Sequence, residues 1–182
     1  MAGDRLFIIT GGPGAGKSTL IAALAALGYP HVPEAGRAII RDQVEIGGRA
    51  LPWDDRLAFA ELMLGWELRS YRAAAGNIVP VLFDRGVPDV IGYLRLIGAE
   101  VPAHIKRAAE LFRYQRQVFI APPWPEIFVQ DAERKQTQAE AEATYDALVG
   151  VYGDYDYELI ELPRVPLRQR VDFVRERIGE AS

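Results

Sequence analysis

The sequence predicts an α/β fold in which one parallel sheet is covered by helices on both faces. Short apolar, β-rich runs alternate with helical patterns along the chain, and a glycine-rich loop joins the first such run to the first helix. The chain has 182 residues, of which 49% are hydrophobic and 25% are charged, which is enough for one domain with a full core. We therefore expect a single domain over residues 1–182.

Five strands and the helices between them can be assigned in chain order. The predicted strands are RLFIIT (5–10), a short strand within YPHVPEAG (29–36), NIVPVLFDRG (77–86), QVFIA (117–121) and YELIELP (157–163). The first helix should run from Gly16 to about Leu27 and the second from about Glu34 to Ile46. A long helix capped by Asp54 or Asp55 follows, with Phe59, Leu62, Met63 and Trp66 on one face. Further helices follow residue 86, the segment 122–136 and residue 166.

Composition limits the possible ligands. The chain has no cysteine and two histidines, so thiolate and histidine metal sites are not expected and any metal should be bound by oxygen. The net charge of -4, with both signs interspersed, argues against a nucleic-acid or membrane surface. No apolar run reaches the roughly 18 residues of a membrane span. We expect a cytoplasmic protein that acts on small molecules.

The stretch ITGGPGAGKSTL, residues 9–20, contains the phosphate-binding pattern GxxxxGK[ST]. Glycines let backbone N–H groups turn inward, and the start of the first helix adds its positive dipole end. Lys17 should reach the β and γ phosphates, while the Ser18 hydroxyl binds Mg²⁺ and Thr19 lies near the α phosphate. The predicted nucleotide-binding residues of this loop are Gly11, Gly12, Gly14, Ala15, Gly16, Lys17, Ser18 and Thr19.

The third strand ends in VLFDR, which places Asp84 and Arg85 at the edge where parallel sheets bind ligands. Asp84 is either a Mg²⁺ carboxylate or the cap of the next helix, and Arg85 is a candidate for stabilising a transferring phosphoryl group. Motor ATPases usually carry a second carboxylate where this chain has Arg85, which disfavours hydrolysis. Asn77 is the sole asparagine and lies in no NKxD motif, which disfavours a regulatory GTPase.

With EAGR (34–37), DRGVPD (84–89) and PPWPEIFVQDAERKQ (122–136), the phosphate loop resembles the AAA-type ATP-binding family. That family includes the nicotinamide-riboside-kinase domain of bacterial NAD regulators, and its pattern is similar to that of small P-loop kinases and of nucleoside and nucleotide kinases. The resemblance covers nearly the whole chain. It implies a P-loop NTPase fold with sheet order 2-3-1-4-5 and a mobile lid after strand four, at residues 122–138.

The resemblance also implies roles for residues outside the loop. Glu34 should accept the proton of the acceptor hydroxyl or orient the acceptor, although it could instead cap a surface helix. Arg37, one turn later, either binds an anionic acceptor or pairs with Glu34. Residues 34–76 should form the acceptor side of the site.

Three further residues are tied to the lid and to the adenine. Arg134 is the candidate lid arginine, beside a solvated Lys135, unless residues 122–138 are an ordinary loop. Arg164, in LPRVP, is placed to stack on the adenine.

These residues favour a kinase that uses ATP, or GTP, with Mg²⁺ to phosphorylate a hydroxyl of a nucleoside-like metabolite. On this reading the catalytic residues are Lys17, Glu34, Asp84, Arg85 and Arg134, and the metal ligands are Ser18 and Asp84. Two alternatives stay open, a nucleotide-dependent switch that acts through a protein or lipid partner and a slow ATPase. The acceptor's identity does not follow from spacing alone.

Overall fold

The computed structural model describes residues 3–127 and 137–179. Its strands are β1 (Leu6–Gly11), β2 (His31–Val32), β3 (Val81–Asp84), β4 (Gln117–Ala121) and β5 (Glu158–Glu161). Its helices are α1 (Lys17–Ala26), α2 (Ala35–Ile46), α3 (Arg56–Ala74), α4 (Val87–Leu96), α5 (Ala103–Leu111), α6 (Gln138–Asp154) and α7 (Leu167–Ile178). A short 3₁₀ helix covers Pro125–Ile127.

The strands form one parallel sheet in the order β2-β3-β1-β4-β5, which confirms the predicted fold. The central strand β1 pairs with β3 from Leu6↔Val81 to Ile9↔Asp84, and with β4 from Ile9↔Phe119 to Gly11↔Ala121. The connection that leaves β1 leads to β2 on one side of the sheet, whereas the connection that leaves β3 leads to β4 on the other side. Such a switch point opens a crevice at the carboxyl ends of the strands. This register places Asp84 beside the start of the loop that follows β1.

Each face of the sheet has its own core because successive strand side chains point to opposite sides. Leu6 and Ile8 of β1 face a cluster formed with α3, α4, α5 and α6. Phe7 and Ile9 face a second cluster, formed with α1 and α7. Burial of an aliphatic or aromatic side chain contributes about 1.5–3 kcal/mol, so these two layers hold the crevice-forming strand ends in place.

Three predictions about local structure need correction. The third strand begins at Val81 rather than at residue 77, and Ile78 just before it is 84% exposed. Asn77 instead turns back on α3, where its backbone N–H donates to the carbonyl of Ala74. Leu62 does not share the buried face of α3, because the packing stripe passes through Phe59, Met63 and Trp66 and leaves Leu62 41% exposed.

The third correction concerns β5, which covers Glu158–Glu161 instead of 157–163. Leu162 is buried beyond the end of this strand. Within residues 3–127 and 137–179, no helix is both long enough and apolar enough to cross a membrane.

Candidate active site

The loop between β1 and α1 has the backbone conformation of a phosphate cradle. Gly11, Gly14 and Gly16 have φ angles of 128°, 72° and 73°, in the region where residues with a Cβ are strained. A Cβ on Gly11 would lie 2.4 Å from the carbonyl oxygen of Ala121 in β4. The turn therefore requires glycine at these three positions, and at Gly11 the close approach of β4 requires it as well.

Lys17 begins α1 at the end of this cradle. Its side chain is buried, and Nζ donates a hydrogen bond of 2.7 Å to the carbonyl oxygen of Gly12. Ser18 and Thr19 follow in the first helical turn and are exposed. Helix N-termini attract anions through their unpaired N–H groups and dipole, so the loop, Lys17 and these hydroxyls can together hold a phosphate chain.

Asp84 is the last residue of β3 and is buried, with 6% of its surface exposed. Its Oδ1 is buried and has no hydrogen-bond partner in the described part of the chain. Burial raises the pKa of the carboxyl group, while the charge of Lys17 opposes the rise. The N-cap residue of α4 is Gly86, so Asp84 does not cap that helix.

An oxygen donor that has no protein partner suits Mg²⁺, which prefers carboxylate, hydroxyl and water oxygens. The candidate oxygen donors are the carboxyl of Asp84, on which the charge of Lys17 acts, and the hydroxyl of Ser18, which follows Lys17 in the chain. Residues 3–127 and 137–179 contain no cluster of three or more His, Cys, Asp or Glu side chains able to enclose a metal. The residues therefore fit a Mg²⁺ ion that also binds phosphate and water oxygens, not one held by the protein alone.

Arg85 connects two carboxylates across the crevice. Its Nε lies 3.4 Å from Oε1 of Glu34, and its Nη1 lies 3.1 Å from Oδ1 of Asp89. Burial lowers the pKa of Arg85, but the charges of Glu34, Asp89 and Asp84 outweigh that effect and the net shift is upward. Arg85 also has a φ of 79°, a strained value for a residue with a side chain, and such strain is concentrated at functional sites.

Glu34 precedes α2, and its carboxylate makes no capping hydrogen bond to the described first turn of that helix. It turns instead toward the arginines: besides Arg85, the Nε of Arg37 lies 3.7 Å from Oε2 of Glu34. The side chain of Arg37 is 41% exposed, compared with 17% for Glu34. The arrangement thus contains the Arg37–Glu34 pair, one of the two roles that the sequence left open for Arg37.

Asp89, in the first turn of α4, holds Arg85 from the other side. Its Oδ2 accepts hydrogen bonds from the hydroxyl of Tyr152 at 2.6 Å and from the backbone N–H of Gly86 at 2.9 Å. Its Oδ1 accepts from the hydroxyl of Thr10 as well as from Arg85. A buried carboxylate with this many donors is rigid, so Asp89 positions Arg85. Asp89 belongs to the DRGVPD motif, whose sequence alone gives it no role.

Glu67 is a second residue that sequence reasoning missed. It lies in α3, is 3% exposed, and its Oε2 has no hydrogen-bond partner among the described residues. Burial raises its pKa well above the ordinary value, the charges of Asp89 and Asp84 add to the rise, and Arg85 opposes it. The signal was available in the sequence, because Glu67 interrupts the helical stripe of Ala60, Leu64, Tyr71 and Ala74 that packs into the core.

Other predicted site residues are not brought to this cluster. Arg134 and Lys135 lie outside the described residues, as does most of the predicted lid. Arg164 is exposed. Burial and the hydrogen bond to Glu161 raise the pKa of Tyr145 to about 12, and the charge of Arg164 opposes this rise. Trp124, in the described part of the predicted lid, lies against Arg170, whose Cζ is 5.5 Å from the ring centroid.

A cavity of about 840 Å³ lies at the outer side of β2, between α2 and α3. Its lining includes Val32, Ile39, Leu62 and Trp66 but none of Lys17, Glu34, Asp84 or Arg85. The polar crevice, not this lateral cavity, therefore contains the groups able to handle phosphate.

The five-stranded sheet and the glycine-rich loop define a P-loop protein with the fold of nucleotide kinases. The chain belongs to the AAA domain family, which it matches over residues 6–170, and this confirms the resemblance inferred from the sequence. No curated protein matches it.

Solved structures with this fold are similar over nearly the whole chain. Deoxyadenosine kinase from M. mycoides, with products dCMP and dCDP, has a TM-score of 0.67 at 14% identity, covering 94% of this chain and 97% of that one. NadR in complex with NR has a TM-score of 0.66 at 17% identity, covering 97% of this chain and 51% of that one. Thymidylate kinase from Ehrlichia chaffeensis has a TM-score of 0.62 at 13% identity, with coverages of 97% and 100%.

Proposed function

We propose that this protein is a phosphotransferase that moves the γ-phosphoryl group of ATP to a hydroxyl of a nucleoside-like metabolite. The observation that carries the proposal is the position of Glu34, Asp84 and Arg85 beside the phosphate-binding loop, at the carboxyl edge of the sheet. Phosphoryl transfer depends on positioning and charge neutralisation, and this cluster offers both.

Each residue has a distinct part in the proposed reaction. The loop amides and Lys17 bind the phosphate chain, and Glu34 orients the acceptor hydroxyl and accepts its proton. Arg85 stabilises negative charge on the transferring group. Asp84 and Ser18 are the proposed Mg²⁺ ligands, and Mg²⁺, when bound, neutralises phosphate charge. Arg134, outside the described residues, is kept as the proposed lid arginine.

The experiment that tests this proposal is a screen of candidate acceptors. Nucleosides are tested first because the similar structures include a deoxyadenosine kinase with dCMP and dCDP and a NadR complex with NR. The protein is incubated with Mg²⁺ and ATP, or separately GTP, and with pooled nucleosides, nicotinamide riboside, sugars and phosphoinositide headgroups. Products are followed by mass. We expect a product heavier by one phosphate, absent with Lys17→Ala. Tight nucleotide binding without any product would favour the nucleotide-dependent switch instead.

Glu34→Gln tests the assignment of the base. The variant should lower kcat by about 100-fold or more, since general-base catalysis contributes roughly 10²–10⁴-fold, while the Kd for ATP stays within about twofold. The matched control is Glu45→Gln, at an exposed position of α2, the helix that follows Glu34; it should leave both constants unchanged. Full transfer by Glu34→Gln to a genuine acceptor would show that Glu34 is not the base.

A further inference from the structure

Arg170, in α7, lies directly against the phosphate-binding loop. Its side chain is 3% exposed, and Nη1 donates a hydrogen bond of 3.2 Å to the carbonyl oxygen of Ala15. A Cβ on Gly16 would lie 2.7 Å from the same Nη1, so the guanidinium group covers the Cα of that glycine. The contact joins residues 155 positions apart in the chain.

This cation has no acidic partner among residues 3–127 and 137–179. Burial lowers the pKa of Arg170 and no carboxylate of the described segments offsets the effect, whereas three carboxylates do so for Arg85. Nε of Arg170 is buried without a hydrogen-bond partner in the described part of the chain. Trp124 offers its ring at 5.5 Å, a cation–π contact that compensates a buried charge in part.

A buried charge without a counter-charge is costly, and proteins keep one where a ligand supplies the opposite sign. The adjacent loop is the anion-binding element of this fold, and its glycines at positions 14 and 16 present the backbone conformation that such binding needs. The guanidinium contacts the loop and Trp124, so this observation does not depend on the carboxylate cluster around Arg85.

We propose that Arg170 is a nucleotide-binding residue whose missing counter-charge is the phosphate chain of a nucleoside di- or triphosphate. The inference rests on the nucleotide site of the proposed function, and it extends that site to α7. It concerns the phosphate chain and is separate from the predicted stacking of Arg164 on the adenine. Arg170 thereby makes nucleotide affinity depend on a helix that lies beyond the loop motif.

The test compares Arg170→Met, which keeps much of the side-chain length without the charge, with Arg170→Lys, which keeps the charge. Binding of ADP and of inorganic tripolyphosphate is measured by calorimetry without any acceptor, and unfolding in urea is measured without ligand. Arg168→Met, at an exposed position of the same helix, is the control.

We expect Arg170→Met to weaken ADP and tripolyphosphate binding by about tenfold or more each, as for a lost charge-assisted hydrogen bond. Arg170→Lys should lose less, and the urea midpoint of Arg170→Met should be equal to or above that of the wild type. Retained ADP affinity would overturn the proposal, and so would a loss for ADP that spares tripolyphosphate, which would indicate a contact with the base.

A structural role gives a different pattern. If the urea midpoint falls together with affinity in both variants, Arg170 only supports the loop and the proposal is wrong. Neither titration requires phosphoryl transfer. A protein that binds ADP but phosphorylates nothing would refute the kinase proposal, while the Arg170 proposal would still be decided by the binding data. A wild-type protein that binds neither ligand refutes both.

Discussion

The two sides of the phosphate-binding loop balance their buried charges in opposite ways. On the β3 side, the carboxyl groups of Glu34, Glu67, Asp84 and Asp89 surround Arg85. On the α7 side, Arg170 is buried with no carboxylate among the described residues to offset its charge. The comparison indicates that the β3 side has more carboxyl groups than cations, which suits a metal cation. The α7 side has a cation in excess, which suits an anion. A metal–nucleotide complex offers both.

Arg85→Met should have the largest effect on the β3 side. It removes the cation between Glu34 and Asp89, and breaking a buried ion pair by loss of one partner costs about 3–5 kcal/mol. Urea unfolding measures the change. Arg95→Met is the control, because its pair with Asp154 is exposed and should contribute at most about 1 kcal/mol. Equal effects of the two substitutions would show that the cluster does not depend on Arg85.

Asp84→Asn should reduce transfer by about 100-fold at fixed Mg²⁺ and raise the Mg²⁺ concentration needed for half-maximal rate, because the amide is a poorer metal ligand. The free energy of unfolding should not fall, since the substitution removes a buried carboxyl with an unpartnered oxygen. The rate is measured as a function of Mg²⁺ concentration. Asp172→Asn, exposed on α7, is the control. An unchanged Mg²⁺ dependence would remove Asp84 from the proposed metal site.

Glu67→Gln should give a smaller, pH-dependent effect. Because the pKa of Glu67 is raised in the folded state, the native protein binds the proton more tightly than the unfolded chain does. The protonated carboxyl therefore contributes its full stability below the pKa that Glu67 has in the unfolded chain, and this contribution is lost as the pH rises toward the pKa that Glu67 has in the folded protein. Glutamine does not ionise, so this loss is absent in the variant. As the pH rises from 4 to 8, the free energy of unfolding of Glu67→Gln should increase relative to that of the wild type by at least about 1 kcal/mol.

The measurement for Glu67 is a series of urea unfolding curves across that pH range. The control is Glu45→Gln, which changes an exposed carboxyl and should alter the free energy of unfolding by no more than about 0.5 kcal/mol at neutral pH. A pH-independent difference for Glu67→Gln would mean that Glu67 is not held neutral in the folded protein.

Tyr152→Phe should have the smallest effect, about 1 kcal/mol, because it removes one hydrogen bond to Asp89 while Thr10, Gly86 and Arg85 still donate to that carboxylate. Unfolding in urea reports the loss of stability, and kcat should fall by less than tenfold. A much larger fall in kcat would indicate that Tyr152 itself meets the substrate.

Residues at strand ends could be placed from the sequence because their positions follow from local patterns. The apolar run before Asp84 indicates a central strand, and the glycine pattern before Lys17 indicates the loop. The sheet order came with the family resemblance, since local patterns do not say which strands are neighbours. Predicting the start of β3 failed because Ile78 and Val79 are apolar and yet lie before the strand, with Ile78 exposed and Val79 half-buried.

Residues whose roles depend on packing could not be placed in this way. Glu67 is a polar residue in a core stripe, and nothing local says that Asp84 and Asp89 lie opposite it. Arg170 reaches Ala15 only because α7 packs on α1, a contact that joins the two ends of the chain. Arg164, which lies within the predicted adenine loop, is exposed.

Gly12 packs its Cα against the first turns of α6, where an added Cβ would lie 2.5 Å from the carbonyl oxygen of Ala141. Its position is therefore closed to every other amino acid unless that helix moves first. In evolutionary terms, the phosphate-binding loop and the start of α6 are constrained together. A homologue with a different or shorter segment before α6 must still place the backbone of that helix against the glycine.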